Sequence, residues 1–423
     1  MADTTPPYLV DSPEVNHPIG ANLVFTFSEA IKLGPGTITF WLANEEFPAY
    51  AAEISGNPHL SVSGNTLTFD PPSELMPKTG YGIRFTPGSI LDLAGNALTR
   101  GEDFIDFFET GISPTPVTAT GTAASDRIHG SDFADTLSGG SDGYDRLYGY
   151  GGDDVLDGGD EATSSTNYTD LLYGGAGKDI LYGRGGNDDL RGDEGDDKLY
   201  GGADNDLLNG GAGDDLLEGG DGNDRLGGNA GNDILSGGAG IDRVITSGAA
   251  SDYTLKRNPD GSITLADLRS GAPEGVDTLT GVEHLQFFNS LVALDIDGAA
   301  GQAFRIYRAA FDRAPDLGGM GFYLSVLERG VSLYDVAAGF VSSQEFKDTY
   351  GSAPTNAEIV TRLYKNILHR DPEPGGYAFW LDVLDSKRAD LPTVLAAFSE
   401  GTENREATAE LIANGVPFEF YYG

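Results

Sequence analysis

Residues 174–245 read GGAGKDILY (174–182), GRGGNDDLR (183–191), GDEGDDKLY (192–200), GGADNDLLN (201–209), GGAGDDLLE (210–218), GGDGNDRLG (219–227), GNAGNDILS (228–236) and GGAGIDRVI (237–245). Eight nine-residue units follow one another without a gap. Position one is always Gly, position six always Asp (Asp179, Asp188, Asp197, Asp206, Asp215, Asp224, Asp233, Asp242), and position eight always Leu or Val. Glycine at positions one, two and four permits positive φ and close backbone approach. The first six residues are therefore predicted to form a tight turn, and the last three a short strand with one inward side chain. Stacked strands would give a thin Leu-lined interior, and stacked turns would give pockets of oxygen.

Asp at position six supplies hard oxygen ligands, joined at position five by Asn187, Asp196, Asn205, Asp214, Asn223 and Asn232. Calcium accepts six to eight such oxygens in flexible geometry, whereas magnesium demands a stricter octahedron, so the donor set points to several calcium ions. Upstream the pattern loosens. Asp135, Asp145 and Asp154 are followed by Asp170 after a seven-residue insertion around Glu161 to Tyr168, read as a loop bulging from one turn. The units resemble the RTX calcium-binding nonapeptide repeat, G-G-x-G-x-D-x-U-x. That resemblance implies a parallel β-roll with two units per coil, in which the position-six Asp and turn carbonyls bind ions between neighbouring coils. Arg184, Asp204 and Ile241 depart from the consensus, which implies weaker sites beside them.

The flanking sequence changes character on both sides. In residues 1–112, Leu23, Phe25 and Phe27, then Ile38 and Phe40, Leu67 and Phe69, and Ile83 and Phe85 alternate with polar residues between Gly, Pro and Asn turn signals. This predicts an antiparallel β-sandwich. Phe25–Glu29 and Ile90–Asn96 resemble bacterial Ig-like domains of exported proteins. Residues 113–125 read as a linker, 126–245 as the β-roll and 246–298 as a β-structured cap, since a repeat stack needs an atypical terminal unit. His284 in that cap reads as a packing residue. Residues 299–423 switch to helical periodicity and contain a duplication. Tyr307 to Phe322 recurs 57 positions later as Tyr364 to Phe379, including Arg-x-Pro-x-x-Gly-Gly at Arg313 and Arg370. This predicts an all-α domain built of two packed helix pairs, with a turn and an internal ion pair at each Arg. It resembles a bacterial domain of unknown function found beside RTX repeats.

Composition narrows the function. With 66 acidic against 26 basic residues the net charge is −40, which argues against nucleic-acid binding. Glycine supplies 61 of 423 residues, about twice the ordinary share of ~7%, and cysteine none, so disulfide and thiolate-metal sites are excluded. The opening MADTTPPYLV lacks a basic region followed by an apolar one, and no apolar run reaches membrane-spanning length. No zinc motif of the H-E-x-x-H type is present, and no enzyme activity is expected. The reading is a multidomain, calcium-binding, secreted or cell-surface protein of a Gram-negative bacterium, of adhesin or surface-layer type, whose roll folds on calcium after export. The resemblance implies type I secretion read from the C-terminal end, where Phe418–Gly423 is the candidate signal. Expected partners are calcium, a cell-surface glycan or further copies of the chain, and the export machinery. A secreted hydrolase with an RTX tail is the alternative.

Overall fold

The computed structural model describes residues 9–11, 23–35, 37–42, 50–53, 57–70, 80–86, 89–97, 104–109, 115–160, 169–271 and 273–420. These divide into two compact units, the first built mainly from residues 1–119 and the second mainly from residues 153–423.

In the first unit, Leu23–Phe27 pairs antiparallel with Thr66–Phe69, which also pairs with Leu60–Ser63, while a second antiparallel sheet joins Phe104–Glu109, Gly80–Phe85, Thr37–Leu42 and Tyr50–Glu53. The period-two pattern is realised: Leu23, Phe25, Phe27, Leu67, Phe69 and Ile90 are buried, whereas the intervening Val24 is exposed. The side chains of Ile38, Phe40, Ile83 and Phe85 lie outside the described residues.

The second unit begins as a parallel solenoid. Strands such as Ile180–Gly185, Lys198–Ala203 and Leu216–Asp221 lie on one sheet, and Asp189–Glu194, Leu207–Ala212 and Arg225–Ala230 on the other. Partners are one coil apart: Leu181 faces Leu199 and Leu190 faces Leu208, so two nonapeptides make one coil. Leu172, Leu181, Leu190, Leu199, Leu208, Leu217, Leu226 and Leu235 are all fully buried. The upstream insertion is absorbed without loss of register, because Leu156 pairs with Leu181, 25 positions on, and the next coil resumes the 18-residue step. Residues 161–168 themselves lie outside the described residues.

One expectation is corrected here. Each strand spans six residues, positions seven to nine and then one to three of the next unit, leaving a turn of only positions four to six. The Gly-rich stretch pairs as strand because its N–H and C=O groups would otherwise be left without partners inside the stack. Arg184 faces Gly202 and Asp193 faces Gly211 in the continuing ladders. Positive φ is confined to positions two and four, as at Gly175, Gly177, Gly211 and Gly213. Arg184, Asp193 and Asn229 at position two, and Asp204 at position four, adopt the same left-handed conformation.

The cap converts parallel pairing into antiparallel. Val276–Thr280 extends one sheet beside Ile234–Ala239, then pairs antiparallel with Ile263–Asp267, which pairs with Tyr253–Arg257. On the other sheet His284–Phe287 follows Arg243–Ile245 and pairs antiparallel with Ser290–Ala293.

Among the described residues eight helices follow: α1 (Ala299–Phe311), α2 (Leu317–Glu328), α3 (Leu333–Ser342), α4 (Gln344–Tyr350), α5 (Asn356–Leu368), α6 (Pro374–Asp385), α7 (Leu391–Ser399) and α8 (Thr402–Ala409). The duplicated unit is therefore four helices, not two. Its aromatic stripes form a core in which Tyr307, Phe340, Tyr350, Tyr364 and Phe398 are buried together. The two Arg loops are equivalent. Arg313 lies 4.9 Å from the Tyr307 ring centroid and 2.9 Å from Glu345 on α4; Arg370 lies 5.0 Å from Tyr364 and 2.6 Å from Glu403 on α8. Each guanidinium pins a turn to the fourth helix of its own copy. After α8 the chain returns to the cap, where Val416–Phe418 adds an antiparallel edge strand to Ser290–Ala293. The expected all-α terminal segment thus ends in β structure, with Val416 and Phe418 buried.

Candidate metal centre

Position-six carboxylates line both turn edges of the roll, and Asp145, Asp154, Asp170, Asp179, Asp188, Asp197, Asp206, Asp215, Asp224, Asp233 and Asp242 are each at most 2% exposed. One oxygen of each carboxylate has a fixed task. The N–H of Asp179 donates to Asp197 Oδ1 at 2.8 Å, that of Asp197 to Asp215 Oδ1 at 2.8 Å, and that of Asp215 to Asp233 Oδ1 at 2.9 Å. The other edge repeats the scheme at 2.8 Å from Asp145 through Asp170, Asp188, Asp206 and Asp224 to Asp242.

In seven of them the other oxygen has none. Oδ2 of Asp179, Asp197, Asp206, Asp215, Asp224, Asp233 and Asp242 is buried without a hydrogen-bond partner. A buried acceptor left without a donor is costly, and a buried anionic one more so. Position-one glycine shows what lies beside it. A Cβ built on Gly201 would sit 2.4 Å from Asp206 Oδ2 and 2.6 Å from the carbonyl oxygen of Gly219, one coil on. On Gly219 it would sit 2.3 Å from Asp224 Oδ2 and 2.6 Å from the Gly237 carbonyl, and on Gly183 2.6 Å from both Asp188 Oδ2 and the Gly201 carbonyl. Each missing Cβ thus leaves a space lined by a carboxylate oxygen and a main-chain oxygen from adjacent coils. Position one needs glycine for room rather than for positive φ.

These oxygens fit a hard divalent cation such as calcium. Among the described residues no three Asp, Glu, His or Cys side chains converge on one point. No pocket gathers three carboxylates, so main-chain oxygens would have to supply most of the remaining donors. Calcium bound there would supply the positive charge that the ranks of buried carboxylates require.

The remaining candidates fall into place differently. Position-five side chains form an exposed ladder of their own: Asn187 Oδ1 accepts from Asn205 N–H, Asn205 from Asn223 and Asn223 from Ile241, each at 2.8 Å, while Asp196 and Asp214 do the same on the other edge. Their Oδ1 atoms hold the turns in register. Asp135 accepts from the backbone of Val117 and Ser131 and from the Ser131 hydroxyl, so both of its oxygens already have protein donors. His284 is buried, with Nε2 2.8 Å from Glu328 Oε1 on α2. Two residues missed in the sequence, Asp277 and Glu283 of the cap, continue the carboxylate rows. Gly275-Val276-Asp277-Thr278-Leu279 carries the four–six–eight spacing of the repeat and was the available signal.

Burial raises these carboxyls well above the ordinary value of ~3.9. Asp206 is pushed up to about 9, Asp215 and Asp277 to about 8, Asp179 to about 7, and Asp197, Asp224, Asp233 and Asp242 to about 6. With its pKa raised, the folded calcium-free roll retains protons that the unfolded chain has released. Its stability is therefore greatest at acid pH and is lost as pH rises through about 6 to 9. Far-UV circular dichroism in EGTA is expected to show more β structure near pH 5 than near pH 8, with calcium affinity moving the opposite way. Spectra that coincide across that range would refute the proton competition.

Three family models match the chain. The RTX calcium-binding nonapeptide repeat (4 copies) matches residues 120–142, 140–162, 164–199, 182–217, 191–226 and 210–244. The chain carries an RTX repeat block. A bacterial Ig-like domain matches residues 3–110, and a domain of unknown function (DUF4214) matches residues 303–349 and 337–408. No curated protein matches the chain. The RTX match covers the solenoid and stops before the cap, and the DUF4214 match falls twice on the helical duplication.

Proposed function

We propose that this chain is an exported calcium-binding protein of the cell surface or extracellular matrix, in which the RTX roll folds as calcium binds and thereby presents the Ig-like and helical modules. The observation that carries this reading is the ranked, partnerless Oδ2 oxygens of Asp179, Asp197, Asp206, Asp215, Asp224, Asp233 and Asp242, buried beside turn carbonyls in an RTX block. The ligands assigned are the position-six carboxylates from Asp145 to Asp242 and the carbonyls of position-one glycines. Position-five Asn and Asp hold the turns from outside. RTX repeats are typical of proteins exported unfolded by type I systems, and low cytosolic calcium would keep this roll open until export. Among the described residues no helix is long and apolar enough to cross a membrane. The matched domains are of non-catalytic types, which favours adhesion or surface assembly over hydrolysis.

The test compares the full chain in millimolar calcium and in EGTA, by light scattering and by retention on bacterial cells and immobilised surface polysaccharides. Calcium-dependent growth of particles supports a surface layer; calcium-dependent retention of a monodisperse protein supports an adhesin. Absence of both, together with activity in a hydrolase screen, would replace this reading with the enzymatic one.

A further inference from the structure

The carboxylate rows do not stop where the nonapeptides stop. Asp233 N–H donates to Asp277 Oδ1 at 3.0 Å, and Asp242 N–H donates to Glu283 Oε2 at 2.9 Å. A cap residue thus stands in each row where the next repeat would place its Asp. The strand register agrees, since Leu235 faces Leu279 and Val244 faces Leu285 just as Leu217 faces Leu235.

Pocket geometry continues past Asp242 as well. A Cβ on Gly237 would lie 2.5 Å from Asp242 Oδ2 and 2.1 Å from the carbonyl oxygen of Gly281, the same pairing that Gly219 shows with Asp224 and Gly237. Asp242 is fully buried, and its Oδ2 has no hydrogen-bond partner. The coil is shorter here: Leu279 and Leu285 are six positions apart, whereas inward residues of successive repeats are nine apart. Gly281, at φ 57°, makes the tightened turn, and the extra methylene of glutamate lets Glu283 reach the N–H that an Asp meets elsewhere.

We propose that Asp242, the Gly281 carbonyl and Glu283 form a terminal calcium pocket closed by the cap and lying outside the repeat block. The proposal rests on the calcium reading of the roll. It has a consequence beyond the roll, because the next residue, His284, holds Glu328 of α2, and its strand His284–Phe287 supports Ser290–Ala293 and, through it, the C-terminal strand Val416–Phe418. Gly321 of α2 also packs so closely on the Glu419 carbonyl that a Cβ would come within 1.7 Å of it. Occupancy of the terminal pocket therefore fixes the strands on which the helical domain is seated.

Native mass spectrometry on the full chain, with hydrogen exchange followed in 284–293 and 416–420, tests this. Glu283→Gln keeps an oxygen acceptor for the Asp242 N–H while removing the charge, so the fold is retained. Glu283→Gln, Asp242→Asn and the double variant are each expected to bind one calcium fewer than the wild type. The calcium midpoint for protecting 284–293 and 416–420 should rise about tenfold, since ligand charge sets affinity in such sites, with 180–221 unchanged. A wild-type count in Glu283→Gln, or two ions lost in the double variant, overturns the proposal. A wild type that binds no calcium at all overturns the reading of the roll instead.

Discussion

Chelating calcium at neutral pH is expected to unfold the roll over residues 169–245 and to carry the cap and helical domain with it. Residues 174–245 hold 16 acidic and 6 basic side chains, a net charge of −10, and their position-six carboxylates are stacked one per turn on each edge. Buried anions with a partnerless oxygen resist folding unless protons or cations neutralise them. For extracellular sites with Kd near 10⁻⁴ M, millimolar calcium stabilises the folded state by about RT ln 11, or ~1.4 kcal/mol per site. Eight sites would contribute roughly 11 kcal/mol, comparable to the whole stability of a domain. At submicromolar calcium nearly all of it disappears. Far-UV circular dichroism should show β signal rising steeply with calcium, because each pocket is lined by oxygens of two adjacent coils, so an ion held there would favour the stacking of both. A spectrum that does not change between EGTA and millimolar calcium would refute calcium-dependent folding. The first unit contributes no position-six row beyond Asp135, and its β signal is expected to persist in EGTA.

Much of this was legible because the repeat imposes one environment on each position. The phase of Leu181 to Leu235 marked the interior, and the invariant Asp marked the carboxylate edge. Strand length was less legible, because glycine at positions one and two reads locally as turn, while the ladder demands pairing there. Position one gave the subtler lesson: its invariance comes from the Asp Oδ2 and the carbonyl beside it, not from its own φ. Glu283 was hidden by the three-residue shortening between Leu279 and Leu285 and by the change from Asp to Glu. The strand Val416–Phe418 was masked by Pro417, which is tolerated because the strand lies at the sheet edge, where one side needs no N–H donor. The helical duplication was visible from Tyr307 and Tyr364 and from the echo of Phe340 in Phe398, but the fourth helix of each copy lay outside the matching motif. Those fourth helices carry Glu345 and Glu403, the partners of the Arg loops.

Replacing a position-four glycine in mid-roll should be nearly as damaging as removing calcium. A Cβ on Gly195 would lie 1.4 Å from the carbonyl oxygen of Gly177, and on Gly213 1.9 Å from that of Gly195, so successive turns stack with no room for a side chain. Both glycines are also left-handed, at φ 140° and 134°. Neither the clash nor the dihedral can relax alone, because the obstacle is the backbone of the preceding coil, itself held by Gly195 N–H to Ala212 and Gly177 N–H to Glu194. Strain of about 1–3 kcal/mol from the backbone and a similar overpacking term put Gly195→Val at roughly 4 kcal/mol or more. Because the displaced turn carries Asp197 and lies over Asp179, the loss should fall on calcium-saturated protein and lower both the β signal and the number of ions bound. Gly201→Ala should separate the two effects, since its Cβ would meet Asp206 Oδ2 and the Gly219 carbonyl and so fill a pocket. It should cost fewer kcal/mol in EGTA near pH 5, where the calcium-free roll is expected to keep β structure, than in calcium, whereas Gly195→Val should be damaging in both. Gly339 in α3, where an added Cβ would meet nothing within 4 Å and φ is not positive, supplies the control. Gly339→Ala should be neutral or stabilise by up to about 1 kcal/mol through helix propensity. If Gly195→Val melted at the wild-type temperature in calcium and bound the same number of ions, the close stacking of turns described for this roll would be wrong.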